Sequence, residues 1–387
     1  MKKKKILLGI LAGLGCAIAG SAITIAGISY ALGFTGDSIQ NLVRFVGVRR
    51  FIESRYVGDV DDTALMDGAI SGMVQSLGDP HSLYMDPKMY GQLMDQTEGT
   101  FGGIGIYMGF KDGKVSVISV MDGTPGEKAG LQAGDEITAI DGTPTSEYQP
   151  EEIALHIRGE VGTNVTLTIH REGEEDADYT IERATIQMKT VAGKMLDEST
   201  GLGYIRIGNF AENTGKEFQE QLTALEGQGM KGLILDLREN PGGLIKSCTE
   251  VANLVVPKGP IVSVVDKNGK TQEYDSDLEA SKYPIVVLID GNSASAAEIL
   301  AGALQDTGAA TLVGTTSYGK GSVQVVVPMY HDDAVKLTIA KYYTPSGRSI
   351  DGTGIDPDVV VELQKGAGSD VQLEKAEEVL RGIVKTD

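Results

Sequence analysis

Cysteine is nearly absent: two occur in 387 residues, Cys16 inside an apolar N-terminal run and Cys248 far from it. No internal disulfide framework follows from that pair, and the redox compartment stays open on this count. Basic residues are scarce too, 34 against 54 acidic. The formal charge of -20 argues against nucleic acid as a partner, because such binding neutralises phosphates with Lys and Arg. Histidine is rarer still: His81, His156, His170 and His331 are the whole set. No His or Cys cluster has ligand spacing, so neither a metal nor another cofactor is expected. No internal repeat of fixed period occurs. What remains, at 41% hydrophobic content, is long enough for two or three domains with separate cores.

Charge is also missing from residues 6–36, a run of about 30 residues where roughly 20 suffice to cross a bilayer. Lys2 to Lys5 precede the run and Asp37 follows it, so the positive-inside rule predicts a cytoplasmic N-terminus and an exported remainder. The expectation is a single-pass anchor in the cell membrane, over residues 1–36, with the rest of the chain extracytoplasmic. A cleaved signal peptide is the competing reading, although its apolar region usually runs only about 7 to 15 residues. Lipid attachment at Cys16 is a third, for which Gly13, Leu14 and Gly15 make a poor signal.

Residues 37–98 carry apolar positions at spacings of three and four, Leu65, Ala69, Ile70, Met73, Val74 and Leu77 among them, which predicts a small helical element. Gly78-Asp79-Pro80 stops its second helix, and Asp86-Pro87 opens another. From Gly99 the pattern changes to strands and glycine turns. Strands are predicted over 115–120, 137–140 and 165–169, with a helix over 151–157, in a compact domain of about 85 residues spanning 99–186.

Residues 187–365 then alternate. Strands are predicted over 203–207, 232–237, 285–289 and 311–313, and helices over 214–225, 244–255 and 296–305, which argues for a mixed or parallel α/β sheet covered on both faces. Residues 366–387 read as a charged amphipathic helix.

The segment from Pro284 to Glu298 runs from a buried strand through small residues into a helix. Ser295 then falls at the helix N-terminus, where free N–H groups and the dipole favour negative charge. Ser295 and Glu298 also have capping-box spacing, which by itself makes the serine a structural N-cap. Lys320, between Gly319 and Gly321, leads into a strand over 323–327. Gly314 and Gly319-Lys320 match Walker-loop spacing, but Gly321 stands where Ser or Thr is required. An ordinary solvated lysine is the plainer alternative. No histidine flanks Ser295 in sequence, so a nucleophilic Ser295 needs another base. Burial lowers a lysine toward neutrality, which suits Lys320. Gln324 shares a strand side with Ser322 and is placed to hold the amine. The turn Arg238-Glu-Asn-Pro-Gly-Gly243 offers the N–H groups of Gly242 and Gly243, and Ala296 the other half, of an oxyanion hole; a plain strand-to-helix turn is the alternative.

Together these segments resemble the carboxyl-terminal processing peptidases, or tail-specific proteases. The likeness rests on Leu77-Gly-Asp-Pro-His-Ser-Leu-Tyr84, Asp236-Leu-Arg-Glu-Asn-Pro-Gly-Gly243, Ser293-Ala-Ser295-Ala-Ala-Glu298, Tyr318-Gly-Lys-Gly-Ser-Val-Gln324, Lys341 to Ser349 and Gly354 to Asp358. It covers nearly all of the chain after the anchor, with Ala297 the one small departure. The resemblance implies an α/β multidomain protein: membrane helix, small helical element, a PDZ module that is β-sandwich-like with two helices, and a crotonase-like α/β protease core. It implies a serine endopeptidase with Ser295 as nucleophile, Lys320 as general base and Gln324 as positioning partner. Phe101-Gly102-Gly103-Ile104-Gly105-Ile106 is similar to a PDZ carboxylate-binding loop, where a peptide adds as a strand beside residues 104–108 and residues 151–157 form the far wall. Arg158 is placed to report peptide binding to the core, or is an ordinary surface arginine. Exported proteins with nonpolar C-termini are the expected substrates, and homodimerisation is left open. The competing functions are a PDZ scaffold on a dead protease fold and a crotonase-like acyl-transfer enzyme.

Overall fold

The computed structural model describes residues 36–111, 113–362 and 369–384. The expected membrane helix lies outside them. No helix among the described residues is long and apolar enough to cross a membrane.

The chain divides into two compact units at Gly78. In the first, helices Gly36–Arg55 and Asp62–Gln75 face each other through Phe45, Val48 and Ile52 against Leu65, Met66 and Ala69. Asp61 caps the second helix by accepting the N–H groups of Thr63 and Ala64, which satisfies two of its four unpaired donors.

The second unit starts earlier than the helical pattern implies. Strand Leu83–Met85 pairs antiparallel with Ala334–Tyr343, Leu83 opposite Lys336. Helix Pro87–Glu98 follows, capped by Asp86 and ended by Gly99. The next module is a six-stranded antiparallel sheet with helices Pro125–Lys128 and Pro150–Ile157, closed by a separate two-stranded ladder of Thr100–Gly103 with Ala184–Gln187. Strands Lys114–Val120, Glu136–Ile140 and Asn164–His170 match the expected ones to within a residue. Alternate residues Val165, Leu167 and Ile169 point inward, as a half-buried strand requires.

The core is a six-stranded mixed sheet. Strands Leu202–Ile207, Gly232–Asp236, Ile285–Ile289, Ala310–Gly314 and Val359–Val360 run parallel, with Val191–Asp197 antiparallel on one edge. Its faces are both covered. Leu233, Leu235 and Val287 meet helices Thr214–Gly227, Ile245–Val255 and Ala296–Asp306, whereas Ile234, Val286, Leu288 and Val313 meet Val371–Val384 through Ala376 and Leu380. Two-sided burial explains why these strands read as unbroken apolar runs. A second, five-stranded sheet, in which Ser322–Pro328 and Gly259–Asp266 flank Ala334–Tyr343, stands beside the helices; its residues carry no crossover pattern that periodicity alone identifies.

Candidate active site

Strand Ile285–Ile289 ends at Asp290, and the chain turns through four residues to Ser295, which precedes helix Ala296–Asp306. The turn is stitched to its neighbour: Ser293 Oγ donates to the Leu237 carbonyl at 2.7 Å and Ala294 N–H to the Asn240 carbonyl at 2.9 Å. Ser295 sits at φ 54, ψ -115. An ordinary N-cap is extended, whereas this conformation costs on the order of 1–3 kcal/mol and persists only where surroundings impose it. The serine also keeps the place of a cap, with the carboxylate arm of a capping box present: Glu298 Oε2 accepts the Ser295 N–H at 2.8 Å.

Glu298, fully buried, is the residue that brings Ser295 and Lys320 together. Its Oε2 also accepts the Lys320 N–H at 2.9 Å, and its Oε1 accepts Gly319 N–H at 2.7 Å and Ser317 Oγ at 2.5 Å. Burial pushes its carboxyl up, and these four donors pull against that shift. A second clamp lies on the other side. The buried Tyr342 hydroxyl donates to the Ser295 carbonyl at 3.2 Å and contacts the Lys320 carbonyl. Capping spacing hinted at Glu298; Tyr342 lies in the Lys341 to Ser349 segment that carries the resemblance, but nothing in the sequence marked this contact.

The Lys320 side chain is half-buried, and no carboxylate forms an ion pair with it among the described residues. Burial lowers the ammonium's proton affinity and nearby Lys336 lowers it further, while Glu298 and Asp79 act in the opposite sense. Gln324 is on the expected side of its strand but does not hold the amine. Its Nε2 donates to Ser322 Oγ at 2.9 Å and to Thr338 Oγ1 at 3.3 Å. A bulge between Val323 and Gln324 sets Gln324 opposite Thr338, the kind of local irregularity that re-aims a side chain. The turn carrying His81 also reaches this sheet: Ser82 Oγ accepts the Thr338 N–H at 3.0 Å and donates to Asp79 at 2.5 Å. His81 therefore lies nearer the lysine segment than its place in the chain implies, its charge acting on Asp351.

The three expected oxyanion donors differ. Gly242 donates its N–H to Asn240 Oδ1 at 2.8 Å, so that group is already taken. What Gly242 supplies is space: at φ +97, a Cβ there would stand 2.7 Å from Ser295 Cβ and 2.9 Å from the Ala296 nitrogen. Gly243 and Ala296 donate their N–H groups to no acceptor among the described residues. Cys248 is buried beneath them, its thiol donating to the Ala296 carbonyl at 3.2 Å.

In the antiparallel module, Gly103, Ile104, Gly105 and Ile106 line a narrow groove opposite Ala154, Ile157 and Arg158. Gly105 has φ +75, and a Cβ there would strike Thr124 at 2.4 Å, so only glycine fits. Gly102 stands just outside, its carbonyl accepting the Gly159 N–H at 3.1 Å. The helix that walls the groove is held from its C-terminal end by Arg183, which donates to the carbonyls of His156 and Ile157, both at 2.9 Å; a cation there is favoured by the dipole. Arg158 itself stacks on Phe101, 4.1 Å from the ring centre, and lies 3.9 Å from Asp95. Those contacts are to neighbouring segments rather than to Ser295 or Lys320.

Family comparisons match three stretches: peptidase family S41 over residues 201–361, a PDZ domain over 116–171, and the activating protease CtpB N-terminal domain over 26–89. A carboxy-terminal-processing protease of Bartonella bacilliformis is 41% identical over 383 residues, 95% of this chain and 87% of the relative. The carboxy-terminal processing protease CtpB of Bacillus subtilis is 40% identical over 315 residues, 80% of this chain and 66% of the relative. Among solved structures, a photosystem II D1 C-terminal processing protease matches at TM-score 0.51 and 28% identity, covering 90% of this chain and 98% of its own. With a PDZ module leading into a two-sided α/β core and relatives matched along nearly the whole chain, this protein belongs to the carboxy-terminal processing proteases of peptidase family S41.

Proposed function

We propose that the protein is a membrane-anchored serine endopeptidase that cuts exported proteins recognised by nonpolar C-terminal tails. Ser295 Oγ attacks the scissile carbonyl carbon as its proton passes to a neutral Lys320 amine. The oxyanion is held by the N–H groups of Gly243 and Ala296. The C–N bond then breaks, Lys320 returns the proton to the leaving amine, and a serine ester remains. Water attacks that ester as Lys320 takes its proton; the ester C–O bond then breaks, the carboxylic product leaves, and Lys320 returns the proton to Ser295 Oγ. The observation that carries this reading is the half-buried Lys320, without an ion-pair partner among the described residues, tied through Glu298 and Tyr342 to a strained Ser295.

Substrate tails enter the PDZ groove beside strand Ile106–Lys111, with main-chain bonds giving affinity and pockets giving selectivity. Gln324 is engaged by Ser322 and Thr338 rather than by Lys320, which suits a resting site that completes itself when a tail binds. Catalytic hydrogen bonds are often loose without substrate. Ser295→Ala and Lys320→Ala are each expected to lower cleavage of a peptide with an apolar C-terminus by about 10⁴-fold or more, with tail binding to the PDZ module unchanged. Cleavage near the wild-type rate by either variant refutes the dyad; equal rates on peptides with and without the apolar tail refute the gate.

A further inference from the structure

The hydroxyl of Thr214 has no part in the mechanism above, yet this fully buried residue stands directly behind the turn that carries Gly243. Helix Thr214–Gly227 begins with it, and residues 208–213 form the loop that leads in. The loop lies along the turn, with a parallel bridge between Phe210 and Gly243. Phe210 donates its N–H to the Gly242 carbonyl at 2.8 Å and accepts the Leu244 N–H at 2.7 Å. A Cβ on Gly243 would overlap the Phe210 carbonyl, so the two segments pack backbone to backbone.

Thr214 holds the far ends of the same two peptide groups. Its Oγ1 donates to the Asn209 carbonyl at 3.2 Å, and the N–H of that peptide is the Phe210 donor. It also accepts the Ala211 N–H at 2.9 Å, and the carbonyl of that peptide is the Phe210 acceptor. Thr190 anchors the loop from the other side, its hydroxyl 2.7 Å from that of Thr214 and its carbonyl accepting the Gly208 N–H at 2.8 Å. The C=O and N–H of a trans peptide point in opposite directions. Hydrogen bonds therefore run in one line from the Thr214 hydroxyl through the 209–210 peptide to the 242–243 peptide, whose remaining donor is the Gly243 N–H. Bonds in such a chain polarise one another, so the last donor gains strength as well as direction.

We propose that Thr214 is a positioning residue for the reaction, its hydroxyl aiming and polarising the Gly243 N–H through the 209–210 and 242–243 peptides. The proposal rests on the Gly243 N–H being an oxyanion donor. Because the line ends at a group that acts on the transition state, its effect falls on kcat and not on substrate binding. Only the hydroxyl is needed, and serine can replace threonine.

Two quantities test this on the full chain. The first is kcat and KM on a quenched fluorogenic peptide that ends in apolar residues. The second is the inhibition constant of a peptide boronic acid, whose serine adduct sets a tetrahedral oxygen where the oxyanion forms. Thr214→Val keeps the shape and removes the hydroxyl. It is expected to lower kcat about tenfold or more and to weaken the boronate by a similar factor, with KM within about twofold of wild type. Thr214→Ser keeps the wild-type values. Thr214→Ala sets no methyl against the Asn209 carbonyl and serves where the valine variant does not fold. A folded valine or alanine variant with unchanged kcat overturns the proposal, as does a fall in kcat that leaves the boronate constant unmoved, or a serine variant as impaired as valine. Ser295→Ala separates the two levels. A boronate that binds Ser295→Ala as tightly as wild type removes the oxyanion reading itself, whereas serine-dependent binding that Thr214→Val leaves unmoved strikes only the role of Thr214.

Discussion

At the scale of single residues, the site is made as much by a missing side chain as by those present. Gly242 lies against Ser295, and its φ of +97 belongs to the region where a Cβ is strained even with free space around it. Here there is none, with the Ala294 carbonyl and Ser295 Cβ both 2.7 Å from the added atom. Gly242→Ala is therefore expected to push Ser295, the proposed nucleophile, out of line. The outcome should be a loss of about 100-fold or more in kcat/KM with only about 1–3 kcal/mol lost in urea unfolding. An alanine variant with unchanged kcat/KM would mean that the turn does not position Ser295.

Among the elements, the decisive contact joins the first turn of helix Ala296–Asp306 to the loop before strand Ser322–Pro328. Glu298 makes that contact with both oxygens, accepting from Ser295, Ser317, Gly319 and Lys320. In Glu298→Gln one acceptor oxygen becomes an NH₂ facing two donors, and buried donors without acceptors cost about 1–3 kcal/mol each. The expected result is a loss of about 2–4 kcal/mol in stability together with a fall in kcat at saturating substrate, since the segments that carry Ser295 and Lys320 are no longer held to one carboxylate. Wild-type stability and kcat in this variant would show that Tyr342 alone suffices as the clamp. The bulge between Val323 and Gln324 belongs to this scale as well, because it decides that Gln324 meets Thr338.

For the whole molecule, the central sheet is a two-sided object. The face toward Ser295 is covered by helices that also build the site, and the opposite face, among the described residues, by Val371–Val384 through Ala376 and Leu380. Arg238 reinforces this closure by pairing with both Asp236 and Asp370. The C-terminal helix is consequently part of the protease core and not an appendage. Leu380→Ala is expected to lower unfolding free energy by about 2–5 kcal/mol, as for other buried leucines, with a matching fall in the urea midpoint. An unchanged midpoint would place the helix outside the cooperative unit.

Strands Ile285–Ile289 and Gly232–Asp236, helix Ala296–Asp306 and the segments that carry Ser295 and Lys320 were legible in the chain itself. Apolar runs, glycine turns and capping spacing act over a few neighbouring residues and leave their mark in order. The pairing of Leu83 with Lys336, the meeting of Glu298 with Ser317 to Lys320, and the hold of Tyr342 on two carbonyls have no such local mark. They join residues far apart along the chain, and register, a bulge and two-sided burial set which of them meet. For that reason the segments of the candidate site could be read from their residue types, while the capture of the Gly242 N–H by Asn240 and the engagement of Gln324 by Ser322 and Thr338 emerged only once the sheets were packed.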